Sequence, residues 1–444
     1  MLDPLTSPLN TNNHNQKNNM KINKFTTALV AMGVISLAGA AQAANPVVYL
    51  TGSTAARAII YGACTTSGQV FDAGSTVVSA NNSSGASQIV YEGKINTFTV
   101  DIDCSFTGSE AGIAAVAGQP LTQNVNSGTF SLPGVPPSFL TQASTWATAA
   151  TLPSGTFPDL TMADTSQAVS LTSKSLFPLN DYGIVGIVPF TLMKGYEATP
   201  DSGWNGVVDI TTGELNQNLA GPINANFYTG NAVDATNSVI IIGRNKGSGT
   251  RVNALLNFQY PVTQPVDQWA YDAIYPSSAP GVLTFGGSYA AGQGIVEVGN
   301  DGYDSGGSVA TGLNVDGTHS GNVLVGYLGI SDAASAHAPT ASGAGPATYL
   351  PYNGVYESDS AVENGSYSYW GQEHLIGQAT QTAEGSTVGA KLKAGINSQL
   401  ISAGDGTKTG AVGPTYSAQS ILIPIGDMQA SRTSDSGFPV AAPF

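Results

Sequence analysis

The sequence predicts an α/β fold, in which the strands of a sheet alternate with helices that pack on its faces. The prediction rests on three segments: residues 46–63, 97–117 and 238–258. Each has an apolar, β-branched run, then a turn of Gly, Ser and Thr, and then a helical stretch. Uninterrupted apolar runs of this kind are typical of strands that are covered on both faces.

The first unit predicts a strand over 46–50, a turn, and a helix from Ala55 to Ala63. Ser53 or Thr54 is the expected N-cap of this helix, because a hydroxyl group can accept a hydrogen bond from a free backbone N–H of the first turn. Arg57 is then expected in the first helical turn.

The second and third units repeat the same order of strand, turn and helix. The second predicts a strand over 97–102 and a helix over 111–117. The third predicts a strand over 238–242 and a helix over 252–258. Each of the three predicted strands thus ends in a turn of Gly, Ser and Thr that opens a helix.

The remaining chain gives weaker signals. A fourth unit predicts a short helix up to 310 and a strand over 322–327, and the apolar run 182–190 predicts a strand that crosses between domains. Gly, Ser, Pro and Ala dominate three further stretches, which are expected to be long loops. These stretches are 66–90, 118–160 and 333–350.

Composition limits the function. The chain has 444 residues, of which 41% are hydrophobic and 10% are charged, so two or three folded domains are expected. The formal net charge is −15, and no three consecutive residues are Lys or Arg. A chain of this charge repels nucleic acids and anionic membrane surfaces. We therefore expect no nucleic-acid partner.

The N-terminal region has the pattern of a secretory signal peptide. A short basic segment, 20–24, precedes an apolar stretch, 26–40, and then small residues up to Ala43. We expect cleavage after Ala43, export to the periplasm or the extracellular space, and an upstream extension over 1–19. No later stretch has the ~20 apolar residues of a membrane span, so we expect no membrane insertion of the mature chain.

The chain has two cysteines, Cys64 and Cys104. In an oxidising compartment such a pair is expected to form one disulfide, and two buried free thiols are the alternative. A zinc site is disfavoured, because His319, His337 and His374 are far along the chain from both cysteines. We expect neither a metal nor an organic cofactor.

The segment 243–251 predicts a binding site for an oxyanion. A Gly-rich turn at a helix N-terminus offers free N–H groups and the positive end of the helix dipole. Arg244 adds a guanidinium that matches phosphate geometry. The alternative is an ordinary loop in which Thr250 caps the helix. The segment is not a nucleotide P-loop, because Thr250 rather than Lys follows its last Gly.

With these residues in view, the chain resembles the periplasmic phosphate-binding proteins of ABC importers. The most specific match is Arg244 with Ser248, Gly249 and Thr250. The matching segments occur in the order seen in that family and span most of the chain after the signal. They are 50–55, 106–112, 163–166, 185–190, 243–251, 304–310 and 326–329.

The resemblance implies a two-lobe periplasmic-binding-protein fold, in which each lobe is a mostly parallel sheet flanked by helices and the ligand cleft lies between the lobes. Residues 45–180 plus 345–444 are expected to form lobe I, residues 181–344 lobe II, and residues 1–43 the extension and signal peptide. It further implies a monomeric solute-binding protein, not an enzyme, that captures inorganic phosphate or a similar oxyanion and delivers it to an ABC permease.

The resemblance also assigns ligand contacts. In lobe I they are Ser53, Thr54, Ala55 and Ser109, and in lobe II they are Arg244, Ser248, Gly249 and Thr250. Asp164 resembles the family's Asp, which accepts a hydrogen bond from the bound phosphate. Such an acceptor favours HPO₄²⁻ over sulfate, which carries no hydrogen. A solvated loop carboxylate or a helix cap is the alternative role for Asp164.

One position departs from the family pattern. Glu110 follows Ser109 in a turn that is usually rich in Gly and Ser. If the Glu110 carboxylate pointed into the cleft, the ligand would differ from phosphate or carry more protons.

Two other function classes stay open at this level. An extracellular or cell-surface structural or adhesive protein on the same scaffold would leave Arg244 and Asp164 exposed or far apart. A Ser-dependent hydrolase would place Ser305 within reach of His319 or His374. The aromatic residues of 352–370 favour packing of a return segment over a sugar-stacking platform, which makes His374 a structural residue.

Overall fold

The computed structural model describes residues 45–75, 78–80, 84–106, 108–118, 131–133, 149–151, 157–172, 174–271, 295–315, 322–338, 345–403, 408–412, 417–435, 437 and 439–440. Contacts divide the chain into two units, Met1–Ala44 and Asn45–Phe444. The predicted signal peptide, its cleavage site and His319 lie outside the described residues. The boundaries of lobes I and II stay a prediction.

The described chain contains both strands and helices, with helices between several of the strands. The strands are β1 (Val47–Gly52), β2 (Val78–Ala80), β3 (Gln88–Ile95), β4 (Phe98–Ser105), β5 (Ser131–Pro133), β6 (Ala149–Thr151), β7 (Leu160–Ala163), β8 (Asn180–Lys194), β9 (Ile223–Asn224), β10 (Ser238–Ile242), β11 (Gln268–Tyr271), β12 (Ile295–Gly299), β13 (Val323–Gly329), β14 (Thr348–Leu350), β15 (Trp370–Gly377), β16 (Lys408–Val412) and β17 (Ser417–Ser420). The helices are α1 (Arg57–Thr65), α2 (Ser109–Val116), α3 (Ser202–Gly206), α4 (Thr212–Asn218), α5 (Asn226–Thr229), α6 (Gly249–Asn257), α7 (Gly306–Leu313), α8 (Ile330–His337), α9 (Asp359–Glu363) and α10 (Ala383–Ala403). Short 3-10 helices lie at Ala232–Thr236 and Ile425–Asp427.

One large sheet has the strand order β12-β11-β10-β13-β8-β15-β7-β1-β4-β3-β2, with β14 paired to β8 and β9 to β10. Its two parallel cores are β7-β1-β4 and β11-β10-β13. The strands that join these cores and those at the edges pair antiparallel. The α/β prediction is therefore confirmed, and the parallel pairing is concentrated in the two cores.

The long strand β8 connects the two parallel cores. It pairs with β15 over its first part and with β13 and β14 over its last part. The strand predicted over 182–190 is confirmed, and it is longer at both ends. That it crosses between two lobes stays a prediction. Of the predicted long loops, 66–90 contains β2, and 333–350 contains the end of α8 and all of β14.

Helix starts differ from the predictions in two places. The N-cap of α1 is Ala56, with no side-chain cap, so the prediction that Ser53 or Thr54 caps this helix is wrong. The Ser53 hydroxyl instead donates to a carboxyl on β15. The alternative in which Thr250 caps α6 is also wrong, because the Ser248 side chain accepts a hydrogen bond from the Arg251 N–H.

The main core contains a cluster of buried aromatic side chains. The rings of Phe190 and Tyr369 stack with centroids 5.3 Å apart, and Phe258 lies 5.0 Å from Tyr369. Tyr352 and Tyr367 are also buried in this core. The packing interpretation of the aromatic return segment is therefore confirmed, and its rings are unavailable as an open sugar platform.

Cys64 on α1 and Cys104 on β4 are free thiols, so the disulfide prediction is wrong. Both side chains are enclosed among apolar neighbours in the main core. Burial raises the pKa of both thiols, which keeps them in the protonated, unreactive form. The two sulfurs thus fill core volume as small apolar groups.

In the described part of the chain, no helix combines the length and the apolar character that crossing a bilayer requires.

Candidate oxyanion site

Strand pairing gathers three predicted residues at one edge of the sheet. Strand β1 pairs in parallel with β4 and β7, so the carboxyl ends of all three strands lie side by side. Ser53 follows β1, Asp164 follows β7, and Ser109 opens the helix after β4. The Asp164 N–H donates to Oγ of Ser109 over 3.2 Å. These residues meet because of register, although 111 positions separate Ser53 from Asp164 in the chain.

The turn after β1 requires glycine. Gly52 has φ of +107°, and a Cβ there would overlap the carbonyl oxygen of Met162. The Ser53 N–H donates to that same carbonyl over 2.7 Å. The absent side chain lets the turn lie directly against β7, which places Ser53 beside Asp164.

The second half of the site is the loop between β10 and α6. Tyr327 accepts a hydrogen bond from the Arg244 N–H over 3.0 Å, and Oδ1 of Asn245 accepts one from the Gly247 N–H over 3.0 Å. Arg251, buried beneath the loop, donates to the Arg244 carbonyl over 3.2 Å. The loop conformation is therefore fixed by its own side chains.

The two halves touch each other. The Ala111 N–H in the first turn of α2 donates to the Gly247 carbonyl over 3.3 Å. A Cβ on Gly249 would overlap the Asp164 carboxyl and would lie 2.7 Å from Cβ of Ser109. Nδ2 of Asn253 donates to the Asp164 carbonyl over 2.6 Å. The N-termini of α2 and α6 therefore converge on Asp164.

Most of the predicted contacts are brought together and buried. Ser53, Ser109 and Ser248 are each 2% exposed, Asp164 is 3% and Arg244 is 6% exposed. Gly249 is buried with them, whereas Ala55 and Thr250 are half-buried and Thr54 is exposed. Ala55 lines a small apolar recess with Ile59 and Leu422.

Asp164 is a buried acid, so the solvated-loop alternative for it is wrong. Burial raises its pKa to about 6, although its hydrogen bond with Ser109 and the positive charge of Arg244 act in the opposite direction. Its Oδ1 is fully buried and has no hydrogen-bond partner among the described residues. An acceptor in this state favours a ligand that carries a hydrogen.

Arg244 supplies the positive charge. Its Nη2 donates to the Asp304 carbonyl over 3.0 Å, and its buried Nε has no partner among the described residues. Burial lowers its pKa, and Asp332, Asp164 and Asp304 oppose that shift. One guanidinium donor is therefore left for a further acceptor.

Glu110 points away from the predicted ligand. Its carboxylate accepts hydrogen bonds from the hydroxyls of Thr165 and Ser170, at 2.9 and 2.7 Å, and from the Leu171 N–H at 2.9 Å. The acid thus anchors the loop after β7. The Glu110 carboxylate therefore does not point into the predicted cleft, which was the condition for expecting a ligand other than phosphate.

Sequence reasoning missed Glu373. This residue of β15 is fully buried, and Ser53 Oγ donates to its Oε2 over 3.3 Å. His374 is paired with Ala163 across the β15–β7 ladder, which places Glu373 beside Asp164. The local sequence gives little signal for this role, because Glu373 stands between Gln372 and His374, and the burial of Trp370–Gly377 throughout is seen only in the structure.

The hydrolase residues have other partners. Ser305 is the N-cap of α7, and its Oγ accepts from the Ser308 N–H over 3.0 Å and contacts the Ser308 hydroxyl at 2.8 Å. His374 Nδ1 lies 3.1 Å from Asp181, and its Nε2 lies 3.7 Å from Asp435. Within the described ranges, no three His, Cys, Asp or Glu side chains form a group able to hold a metal ion.

Comparison with known proteins gives distant structural similarity alone. No protein-family model and no curated protein matches the sequence. A Clostridium perfringens protein assigned as a phosphate ABC transporter substrate-binding protein, with bound phosphate, is 14% identical with a TM-score of 0.40, and the match covers 78% of this chain and 92% of that one. An ABC-type phosphate transport receptor from Vibrio cholerae is 12% identical with a TM-score of 0.37, over 80% of this chain and 98% of that one. Similarity at this level leaves the ligand to be argued from the residues of the site.

Proposed function

We propose that this chain is an exported solute-binding protein that captures a tetrahedral oxyanion, inorganic phosphate, and delivers it to an ABC permease. One observation carries the proposal: a buried acceptor, Asp164 Oδ1, and a buried donor, Arg244 Nε, lie near the N-termini of α2 and α6, and neither has a hydrogen-bond partner in the described part of the chain. Hydrogen phosphate satisfies both, because it carries one P–OH donor and several negatively charged acceptor oxygens.

The acidity of the site supports phosphate over sulfate. Sulfate has no hydrogen to donate to Asp164, and its oxygens would repel an unpaired carboxylate. Asp164 and Arg244 are both buried and electrostatically coupled, an arrangement that the structural or adhesive alternative does not require. Ser53, Ser109, Ser248 and Gly249 complete the proposed contacts, and Thr54, Ala55 and Thr250 contribute through their backbones.

Ligand binding requires the two halves to separate. The Ala111 N–H that would face an anion is bonded to the Gly247 carbonyl in this structure. We place the hinge where the chain crosses between the proposed lobes, at β8 and before β14, so that the lobes move as rigid bodies. Export, which the signal-like N-terminus supports, and a monomeric state belong to the same proposal.

Isothermal titration calorimetry of the purified protein with phosphate, arsenate and sulfate tests the proposal. We expect heat of binding with phosphate and arsenate and none with sulfate. Arg244→Ala is expected to weaken phosphate binding by about 10- to 100-fold, because a charge-assisted hydrogen bond is lost. Lys391→Ala, which removes a half-exposed cation 3.8 Å from Asp72, is the matched control and should bind as the wild type does. Absence of binding by the wild type to all three anions would refute the proposal.

A further inference from the structure

A second carboxyl lies beside Asp164 in the proposed site. The ladder between β15 and β7 pairs His374 with Ala163 and Leu375 with Met162, so the next position places Glu373 opposite Asp164. Ser53 follows the strand on the other side of β7 and donates to Glu373 Oε2 over 3.3 Å. The Glu373 side chain therefore points to the same edge of the sheet as the proposed oxyanion contacts.

Helix α6 covers the face of β15 that carries the Glu373 side chain. A Cβ on Gly371, which lies two residues before Glu373 and on the same face of β15, would meet the amide of Asn253. Asn253 in turn donates to the Asp164 carbonyl. Glu373 is thus enclosed between the turn after β1, the end of β7 and the first turns of α6.

Glu373 has one unused polar atom. Its Oε1 is buried and has no partner among the described residues, whereas its Oε2 accepts from Ser53. An ionised Glu373 would be a third negative group beside Asp164 and the bound anion, and among the described residues Arg244 and His374 are the cations that act on these carboxyls. A protonated carboxyl avoids that repulsion and turns Oε1 into a hydrogen-bond donor.

We propose that Glu373 is a further oxyanion-binding residue, whose protonated carboxyl donates a hydrogen bond from Oε1 to an oxygen of the bound phosphate. The inference rests on the proposed function and assigns different hydrogen-bonding roles to the two carboxyls. Asp164 accepts the ligand's hydrogen, and Glu373 supplies one to a ligand oxygen. The site then recognises both the protonated and the unprotonated oxygens of HPO₄²⁻.

The neighbouring charges determine when Glu373 ionises. Burial and the Asp164 carboxylate raise its pKa well above the usual range, and the Ser53 hydrogen bond and the His374 charge oppose them. Asn253 on α6 is neutral, and Lys393 on α10 is bonded to the Tyr182 carbonyl. The raised pKa favours the protonated, donating form of Glu373, and that role is lost once the pH exceeds this pKa.

Isothermal titration calorimetry with inorganic phosphate, repeated at several pH values from mildly acidic to alkaline, tests the role of Glu373. Glu373→Met, which removes the donor, should weaken phosphate binding about 10- to 100-fold at neutral pH. Glu373→Gln keeps an N–H donor that cannot ionise, so it should bind about as well as the wild type at neutral pH and several-fold more tightly at alkaline pH. Comparison at each pH cancels the ionisation of phosphate itself. Gln372→Met, on the opposite face of β15, is the matched control.

The outcomes separate this inference from the proposed function. If the wild type binds phosphate and Glu373→Met binds it equally well, Glu373 makes no ligand contact and the inference alone fails. If Glu373→Met does not fold by circular dichroism, the Glu373→Gln comparison decides, and an alkaline loss of affinity identical to that of the wild type overturns the inference. If the wild type binds no oxyanion, both proposals fall together.

Discussion

Asp164 and Gly249 approach so closely that only a glycine can stand at the start of α6. A Cβ at position 249 would overlap Oδ1 of the Asp164 carboxyl. The carboxyl therefore packs against the first residue of α6, beside the helix end that carries free N–H groups and the positive end of the dipole. One contact thus links the end of β7 to the beginning of α6 and brings an acid together with the turn that is predicted to bind an anion.

Gly249→Ala should disrupt this contact. The added methyl group forces Asp164 away from α6, and overpacking of this kind costs about 1–3 kcal/mol of unfolding free energy. We expect a lower midpoint in urea unfolding and weaker phosphate binding. Gly213→Ala is the control, because a Cβ at that helical position meets nothing within 4 Å. Equal stability of the two variants would contradict the contact.

Asp164→Asn should change the pH dependence of stability. An acid whose pKa is raised on folding from 3.8 to about 6 leaves stability intact below pH 3.8 and reduces it as the pH rises through 6. At neutral pH the cost is about 2–3 kcal/mol. Because the amide cannot ionise, the free energy of unfolding of the variant should rise relative to that of the wild type between pH 3.8 and about 6, as measured by urea unfolding. Asp427→Asn, at an exposed position, is the control, and parallel curves for wild type and Asp164→Asn would refute the assignment.

His374 should stabilise the fold up to alkaline pH. Asp181 and Asp435 raise its pKa from 6.5 to about 9 against the effect of burial. Its contribution, about 2–3 kcal/mol, is complete below pH 6.5 and is lost as the pH rises through 9. Thermal unfolding of wild type and His374→Gln should converge over that range. His337→Gln, which changes a histidine away from Asp181 and Asp435, is the control. An equal change in its thermal stability would argue against stabilisation through the His374 carboxylate contacts.

The free cysteines predict insensitivity to reducing agents. Thermal unfolding with and without dithiothreitol should coincide, because no disulfide links Cys64 to Cys104. Iodoacetamide should label neither thiol in the folded protein and both after unfolding, since burial keeps the thiolate form scarce. Cys64→Ala should therefore lower stability by about 1 kcal/mol or more through lost packing alone. A reductant-dependent melting temperature would show instead that the two sulfurs are bonded.

The elements that sequence predicted best have strong local signals. Residues 238–242 form β10 as predicted, because an unbroken apolar run is ended on its C-terminal side by glycine. Helix α6 begins at Gly249, three residues before the predicted start at 252, because Ser248 rather than Thr250 caps it. The cap of α1 could not be predicted, since Ser53 is recruited by Glu373 from a strand 320 positions away.

The same distinction holds for the site. Arg244, Ser248 and Gly249 stand in one turn, and their proximity follows from sequence alone. The association of Asp164 with Glu373 depends on the register of β15 against β7, which no local pattern contains. The cysteine pairing was mispredicted for a related reason. Export to an oxidising compartment suggests that the two cysteines form a disulfide, whereas the actual environment of each sulfur depends on how the core packs.

The hydrogen bond from Ala111 to Gly247 has a kinetic consequence. If the chain binds an anion as proposed, the anion has to pass between the first turn of α2 and the loop before α6 to reach Asp164. Binding and release should therefore both require this hydrogen bond to break. The rate of anion exchange would then be set by how often this hydrogen bond opens, and it would depend only weakly on the concentration of free anion.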